Sequence, residues 1–176
     1  MNRKFIIGAL SIALLTALIF SYNYIVVDIP VKSKINEDPR NKGISFNIRY
    51  DYFVIPSRIV FDLKSISVDN SPADVFRVLL QTASSLKNSK YSIVKLAYKG
   101  KVKFVIKGEY FSQLGKEYGF QNPVYTMRTF PENLYDVEGK QAYGTWTGGW
   151  LGVVGKQMED FNDFHHKWYL DVYIKK

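Results

Sequence analysis

Hydrophobic and polar positions change rhythm several times along this chain, and each change marks an element. From Phe5 to Val27 no residue is charged, and from Phe5 to Phe20 only Gly8, Ser11 and Thr16 interrupt an apolar run. A helix over Phe5–Val27 rises about 34 Å at about 1.5 Å per residue, enough for a hydrocarbon core of about 30 Å. Arg3 and Lys4 precede it, and Tyr22 and Tyr24 fall near the far interface, where amphipathic rings concentrate. A cleavable signal is the competing reading, but the stretch where the cut belongs, Ala17–Ser21, lacks small residues at the required spacing. Residues 1–27 are therefore read as a retained single-pass anchor. Basic residues before the span, with a long domain after it, favour a cytoplasmic N-terminus and an exported domain.

After the run the pattern becomes irregular. Residues 28–43, with two prolines and mixed charge, read as a linker or arm. Ile44–Tyr50 then alternates apolar and polar, as a half-buried strand does, and Ile59–Lys64 alternates again after Pro56. Ser71-Pro72-Ala73-Asp74 is a helix start, with a cap, a proline at the first helical position and an acid facing the positive end of the dipole. Val75, Phe76, Leu79, Leu80, Ala83 and Leu86 follow at helical spacing.

Tyr91–Tyr98 and Lys101–Lys107 read as two strands joined by a tight turn at Lys99-Gly100. A regular two-residue hairpin opposes Tyr98 with Lys101, Leu96 with Lys103 and Val94 with Val105. That register lines up Lys101, Lys103 and Lys107 on one face, puts Ile93 and Ala97 on the core side, and leaves Lys95 there as a misfit. Tyr110, Phe111, Leu114 and Tyr118 suit a short helix, and Val124–Thr129 reads as a strand. Lys156–Leu170 reads as a closing helix with Met158, Phe161, Phe164 and Trp168 along its apolar side. The expected fold is α+β: an N-terminal transmembrane anchor helix, then one mainly antiparallel sheet with helices packed on it, in a single domain over residues 44–176. A right-handed βαβ unit through the Ser71 helix fits within it.

Charge changes the picture locally. The chain carries a formal +8, and between Lys87 and Lys116 there are eight lysines against one acid, Glu109. Lys99, Lys101, Lys103 and Lys107 are the candidate anion-binding residues, with anionic lipid beside the anchor as the simplest partner. The alternative is an edge strand guarded by lysines against pairing with other chains. With no cysteine there is no disulfide framework and no cysteine-linked lipid anchor.

Candidate chemistry is sparse. Glu159, Asp163 and His166 share one face of the closing helix and are the weak metal candidates. The chain has only two histidines, which excludes a His-rich zinc site, and a di-metal bundle site needs more glutamates than this. The glycine-rich stretch Gly148–Lys156 lacks the spacing of a phosphate loop and reads as a turn. Tyr143, Trp146 and Trp150 are a candidate aromatic ligand platform. No serine stands in a nucleophile motif.

The expected function is a small binding or accessory protein tethered to a bacterial inner membrane, facing the periplasm or the cell exterior. No catalytic residue and no cofactor are assigned. Expected partners are the membrane itself and an anionic lipid or envelope protein; nucleic acid is not among them. The alternatives are an envelope hydrolase or metal-dependent enzyme using the closing helix, and an anchored basic domain binding anionic lipid or nucleic acid on the cytoplasmic side.

Overall fold

The computed structural model describes residues 3–174; Met1 and Asn2 of the expected anchor lie outside them. Helix α1 (Arg3–Asn23), a π-helical turn (Tyr24–Asp28) and α2 (Ile29–Asn36) form one continuous helix. It is long and apolar enough to cross a membrane, and its most apolar stretch is not buried against protein. The arm expected after residue 27 is thus helical as far as Asn36. Val27, Val31 and Ile35, spaced by four, share one face and are buried in the domain core.

Strands β1 (Ile44–Asp51), β2 (Ile55–Ile66), β3 (Ile93–Tyr98), β4 (Lys101–Lys107) and β5 (Leu134–Tyr135) form a five-stranded sheet in that order. It is a mixed sheet, since β2 and β3 run parallel while the other neighbours are antiparallel. Parallel neighbours need a crossover, and α3 (Pro72–Leu86) supplies it. Ser71 and Asp74 cap α3 reciprocally: Ser71 Oγ accepts from the Asp74 N–H, and an Asp74 carboxylate oxygen accepts from the Ser71 N–H at 2.8 Å.

The remaining helices are α4 (Gly108–Glu117), α5 (Pro123–Thr129), α6 (Trp150–His165), a second π-helical turn (His166–Leu170) and α7 (Asp171–Ile174). The helical state of α5 corrects the strand expected there. Its Val, Tyr and Thr favour strands, but Asn122 Oδ1 accepts from the Val124 N–H at 2.9 Å and Pro123 sits at the first helical turn. That is the same cap-and-proline start that opens α3.

The core lies on one face of the sheet, beneath α3 and α6. Phe61 meets Trp168 at 5.8 Å between ring centroids, Phe104 meets Phe164 at 5.4 Å, and Phe76 meets Phe161 at 5.1 Å. Trp168 Nε1 donates to the Ala97 carbonyl at 3.1 Å, so its one polar atom is satisfied while its ring is buried.

The β3–β4 register differs from a regular hairpin. Tyr98 opposes Lys101 as expected, but a bulge follows, and Leu96 opposes Phe104, Lys95 opposes Val105 and Val94 opposes Ile106. One extra residue on β4 moves every later pair by one position. Val94 and Leu96 therefore face the core with Phe104 and Ile106. Lys95 is no misfit: it lies on the opposite face and pairs with buried Asp51 at 2.6 Å.

Candidate functional site

The sheet has two distinct ends. The C-terminal ends of β1 and β4 and the N-terminal ends of β2 and β3 lie together at the end from which α1 leaves the domain. The Lys99-Gly100 turn lies at the other. Everything expected of a tethered protein depends on how α1 meets the near end.

β1 is an edge strand, so its outward N–H groups need partners. Asn23 Oδ1 accepts from the Tyr50 N–H at 2.9 Å, and Asp28 Oδ1 accepts from the Ile48 N–H at 2.8 Å. Asn23 Nδ2 also donates to the Phe53 carbonyl at 2.7 Å, and Asp28 Oδ2 holds Lys32 at 2.8 Å. In an α-helix residues five apart point in different directions. Here the Ile29 N–H bonds the Tyr24 carbonyl, a five-residue step. That step brings position i+5 round to the face of position i. The π turn thus aims both side chains at the strand. Neither residue was a candidate from the sequence, where the only signal is an amide near the end of the apolar run and a carboxylate just beyond it.

The closing helix separates the residues grouped as metal candidates. Asp163 accepts from the Tyr143 hydroxyl at 2.8 Å and pairs with Lys167; Glu159 pairs with Lys156; His166 faces Asp171 at 3.2 Å. Among the described residues no group of three His, Cys, Asp or Glu side chains is placed to hold a metal ion. His165 is completely buried among Phe161, Phe164 and Trp168, with Nδ1 3.0 Å from the Tyr169 hydroxyl. Burial, with His166 beside it, holds the imidazole down to about 3, so it is neutral near neutral pH.

The three platform aromatics do not form one surface. Tyr143 is buried against Phe104, and burial together with Asp163 raises its hydroxyl well above the usual tyrosine range. Trp146 donates to Asp160 at 2.6 Å, while Trp150 is an exposed first residue of α6.

The four lysines are also divided. Lys107 lies at the near end, on the face shared by Lys95 and Val105, with its ammonium 4.9 Å from the Tyr135 ring centroid. Lys101, about 20 Å away along a strand rising about 3.3 Å per residue, opposes Tyr98 at the far end beside Lys99. Lys103 is displaced by the bulge and borders a crevice with Lys167 and Asp171. The single face expected for Lys101, Lys103 and Lys107 does not form.

A half-open cleft lies among α3, α4 and α5, with a volume of about 400 Å³. Small-molecule sites occupy about 300–1,000 Å³. Phe76, Leu80, Leu114 and Met127 give it an apolar base, with Arg77 and Glu117 among its polar groups. Arg77 is held rigidly: Nη1 donates to Asp74 at 2.7 Å, Nε to Asn41 Oδ1 at 3.1 Å and Nη2 to the Arg40 carbonyl at 2.7 Å. The Ser71 hydroxyl, and after it Arg77, holds the Asp74 carboxyl below its ordinary value. An apolar base with a prearranged charged rim suits a ligand or peptide segment with an apolar body and a polar end. Its residues read as core in the sequence, because the helical stripe of α3 does not show where its cover stops.

The chain matches no protein-family model, no curated protein and no solved structure.

Proposed function

We propose that this chain is a membrane-tethered, non-catalytic binding or accessory protein. Its domain stands on the periplasmic or outer side of a bacterial inner membrane, and the cleft among α3, α4 and α5 is its ligand seat. The observation that carries this reading is the two-part N-terminal helix. Its first part is apolar and exposed, and its second is built into the core through Val27, Val31 and Ile35 and onto the β1 edge through Asn23 and Asp28. A helix fixed in this way holds the domain close to the bilayer rather than on a loose leash. The non-catalytic part is supported by the closing helix, where the carboxylates and His166 are paired with other side chains and His165 is walled in.

Membrane fractionation of the full chain, with a C-terminal reporter active only outside the cytoplasm, tests tether and orientation. Retention in membranes and an active reporter are expected; an inactive reporter overturns the exported orientation. Ala73→Trp, at an exposed position on the cleft, tests the seat. It is expected to remove partners that co-purify with the full chain without releasing it from membranes. An unchanged set of partners moves binding away from the cleft.

A further inference from the structure

The turn between β1 and β2 is unusual in three independent respects. Tyr52 and Phe53 both have positive φ, 49° and 65°, in a turn closed by the Val54 N–H on the Asp51 carbonyl. Tight hairpin turns of this kind favour Asn-Gly, because residues with a Cβ are strained there. Two aromatic residues stand in those positions instead. The turn is also displayed: Tyr52 is 71% exposed and Val54 59%, while Phe53 is half-buried. Third, the turn packs on the apolar helix. The Phe53 ring lies 4.3 Å from that of Phe20, Tyr50 faces Tyr22 at 6.3 Å, and the Phe53 carbonyl is taken by Asn23.

That contact fixes the depth of the turn relative to the span. If the hydrocarbon core begins at Phe5, a thickness of about 30 Å reaches residue 25, and Phe20 lies about 7 Å below the upper boundary. Whatever surrounds Phe20 there also surrounds Phe53. The backbone tolerates it, because the Phe53 N–H bonds the Tyr50 carbonyl and the Phe53 carbonyl has Asn23. Satisfied backbone is the requirement for entering a layer poor in water. Between helix and turn the groove walls are Leu18, Ile19, Ile25, Phe53, Val54 and Pro56.

Charge at the same end of the sheet completes the pattern. Arg58 near the start of β2, Lys90 before β3 and Lys107 at the end of β4 are all exposed. Hydrogen bonds from the Ser92 N–H to the Ser57 carbonyl and from the Gly108 N–H to the Ser92 carbonyl hold these three strand ends together. The Arg49 guanidinium lies 4.7 Å from the Phe53 ring centroid and the Lys95 ammonium 5.2 Å from that of Tyr52. The tip is therefore amphipathic: aromatic and aliphatic surface with cations on and behind it, which suits the interfacial layer of a bilayer.

We propose that the β1–β2 turn is a second membrane-contacting element, seated in the interfacial layer of an anionic bilayer beside the span, with Arg58, Lys90 and Lys107 on lipid phosphates. This rests on the tethered reading above. A second contact with the bilayer fixes the tilt of the domain against it, which a single span leaves free, and so fixes how far the cleft stands from the surface.

The absence of native cysteine makes the test direct. Full-length protein is placed in nanodiscs with or without anionic lipid, carrying a single fluorophore-labelled cysteine at Leu14, Val54 or Val68. Val68 follows β2 at the far end of the sheet and is 84% exposed. A nitroxide quencher is attached to the lipid. In anionic discs the Leu14 and Val54 labels are expected to be quenched at least threefold more than the Val68 label. Replacing Arg58, Lys90 and Lys107 with Gln is expected to bring Val54 toward Val68 and leave Leu14 unchanged. Quenching at Leu14 with Val54 equal to Val68 overturns the inference and leaves the tether standing. No quenching at Leu14 overturns the tether and the inference with it. Equal quenching of Val54 in neutral discs, or in the triple variant, overturns the assignment of the three cations to phosphate.

Discussion

Asn23 and Asp28 stand five residues apart in the N-terminal helix, yet both accept backbone N–H groups from the same edge strand, at 2.9 and 2.8 Å. The π turn between them makes this possible, and the pair turns an apolar helix into a structural part of the domain. It also closes an edge that would otherwise offer its N–H groups to another chain.

Asp28→Ala removes the acceptor for the buried Ile48 N–H and the partner of Lys32. An orphaned buried donor costs about 1–3 kcal/mol, so unfolding of the detergent-solubilised full chain is expected at lower temperature. Asp28→Asn keeps an acceptor and is expected to recover most of the loss. If Ala and Asn behave alike, the hydrogen bond to β1 contributes little.

His165 gives the fold a sensitivity to mild acid. The unfolded chain takes up its proton below its ordinary pKa of 6.5, whereas the folded imidazole resists down to about 3. Between these values the unfolded state holds more protons, so stability is full above pH 6.5 and falls as pH falls. The neighbouring titratable groups are Tyr169 and His166; burial raises the Tyr169 hydroxyl, which keeps it neutral throughout. Denaturant midpoints between pH 7 and 5, above the carboxylate range, are expected to drop for the native chain. For His165→Phe they are expected to stay nearly level. Equal slopes would show that the imidazole is reached by water.

Two helical glycines make opposite predictions. A Cβ at Gly115 would collide with the Ala83 carbonyl oxygen, where α4 crosses α3, whereas one at Gly152 in α6 meets nothing within 4 Å. Gly115→Ala forces the helices apart, at a cost of about 1–3 kcal/mol. Gly152→Ala gains helix propensity of up to about 1 kcal/mol. Thermal melts of the two variants should move in opposite directions.

Ser71→Ala removes one half of the reciprocal cap of α3. Losing a capping hydroxyl costs about 0.5–2 kcal/mol, and here it also removes the main cause of the lowered Asp74 pKa. The variant is expected to be less stable at pH 7. The native contribution is present above the unfolded carboxylate pKa and is lost as pH falls through the lower folded value. The gap between variant and native chain should therefore narrow toward pH 3. A gap that is constant with pH would place the whole effect on the hydroxyl.

Local signals were legible in the sequence wherever one element carries its own pattern. The apolar run announced a helix able to cross a membrane, Ser71-Pro72 with its stripe announced α3, alternation announced β1 and β2, and Lys99-Gly100 announced its turn. Each depends on contacts only a few residues apart, which a linear chain displays. The cap-and-proline start at Asn122-Pro123 was equally local, and outweighs the strand-forming residues after it. Only the tertiary structure decided what depends on a distant partner. A single bulged residue, with no mark of its own in Lys101–Lys107, moved Lys95 to the outer face beside Asp51 and split Lys101 and Lys107 between the two faces of the sheet. The π turn put Asn23 and Asp28 on one face, where α-helical spacing would have set them apart. Residues 28–36 resemble an arm because most of their surface is solvated. They are helix because Val31 and Ile35 reach a core whose other residues come later in the chain.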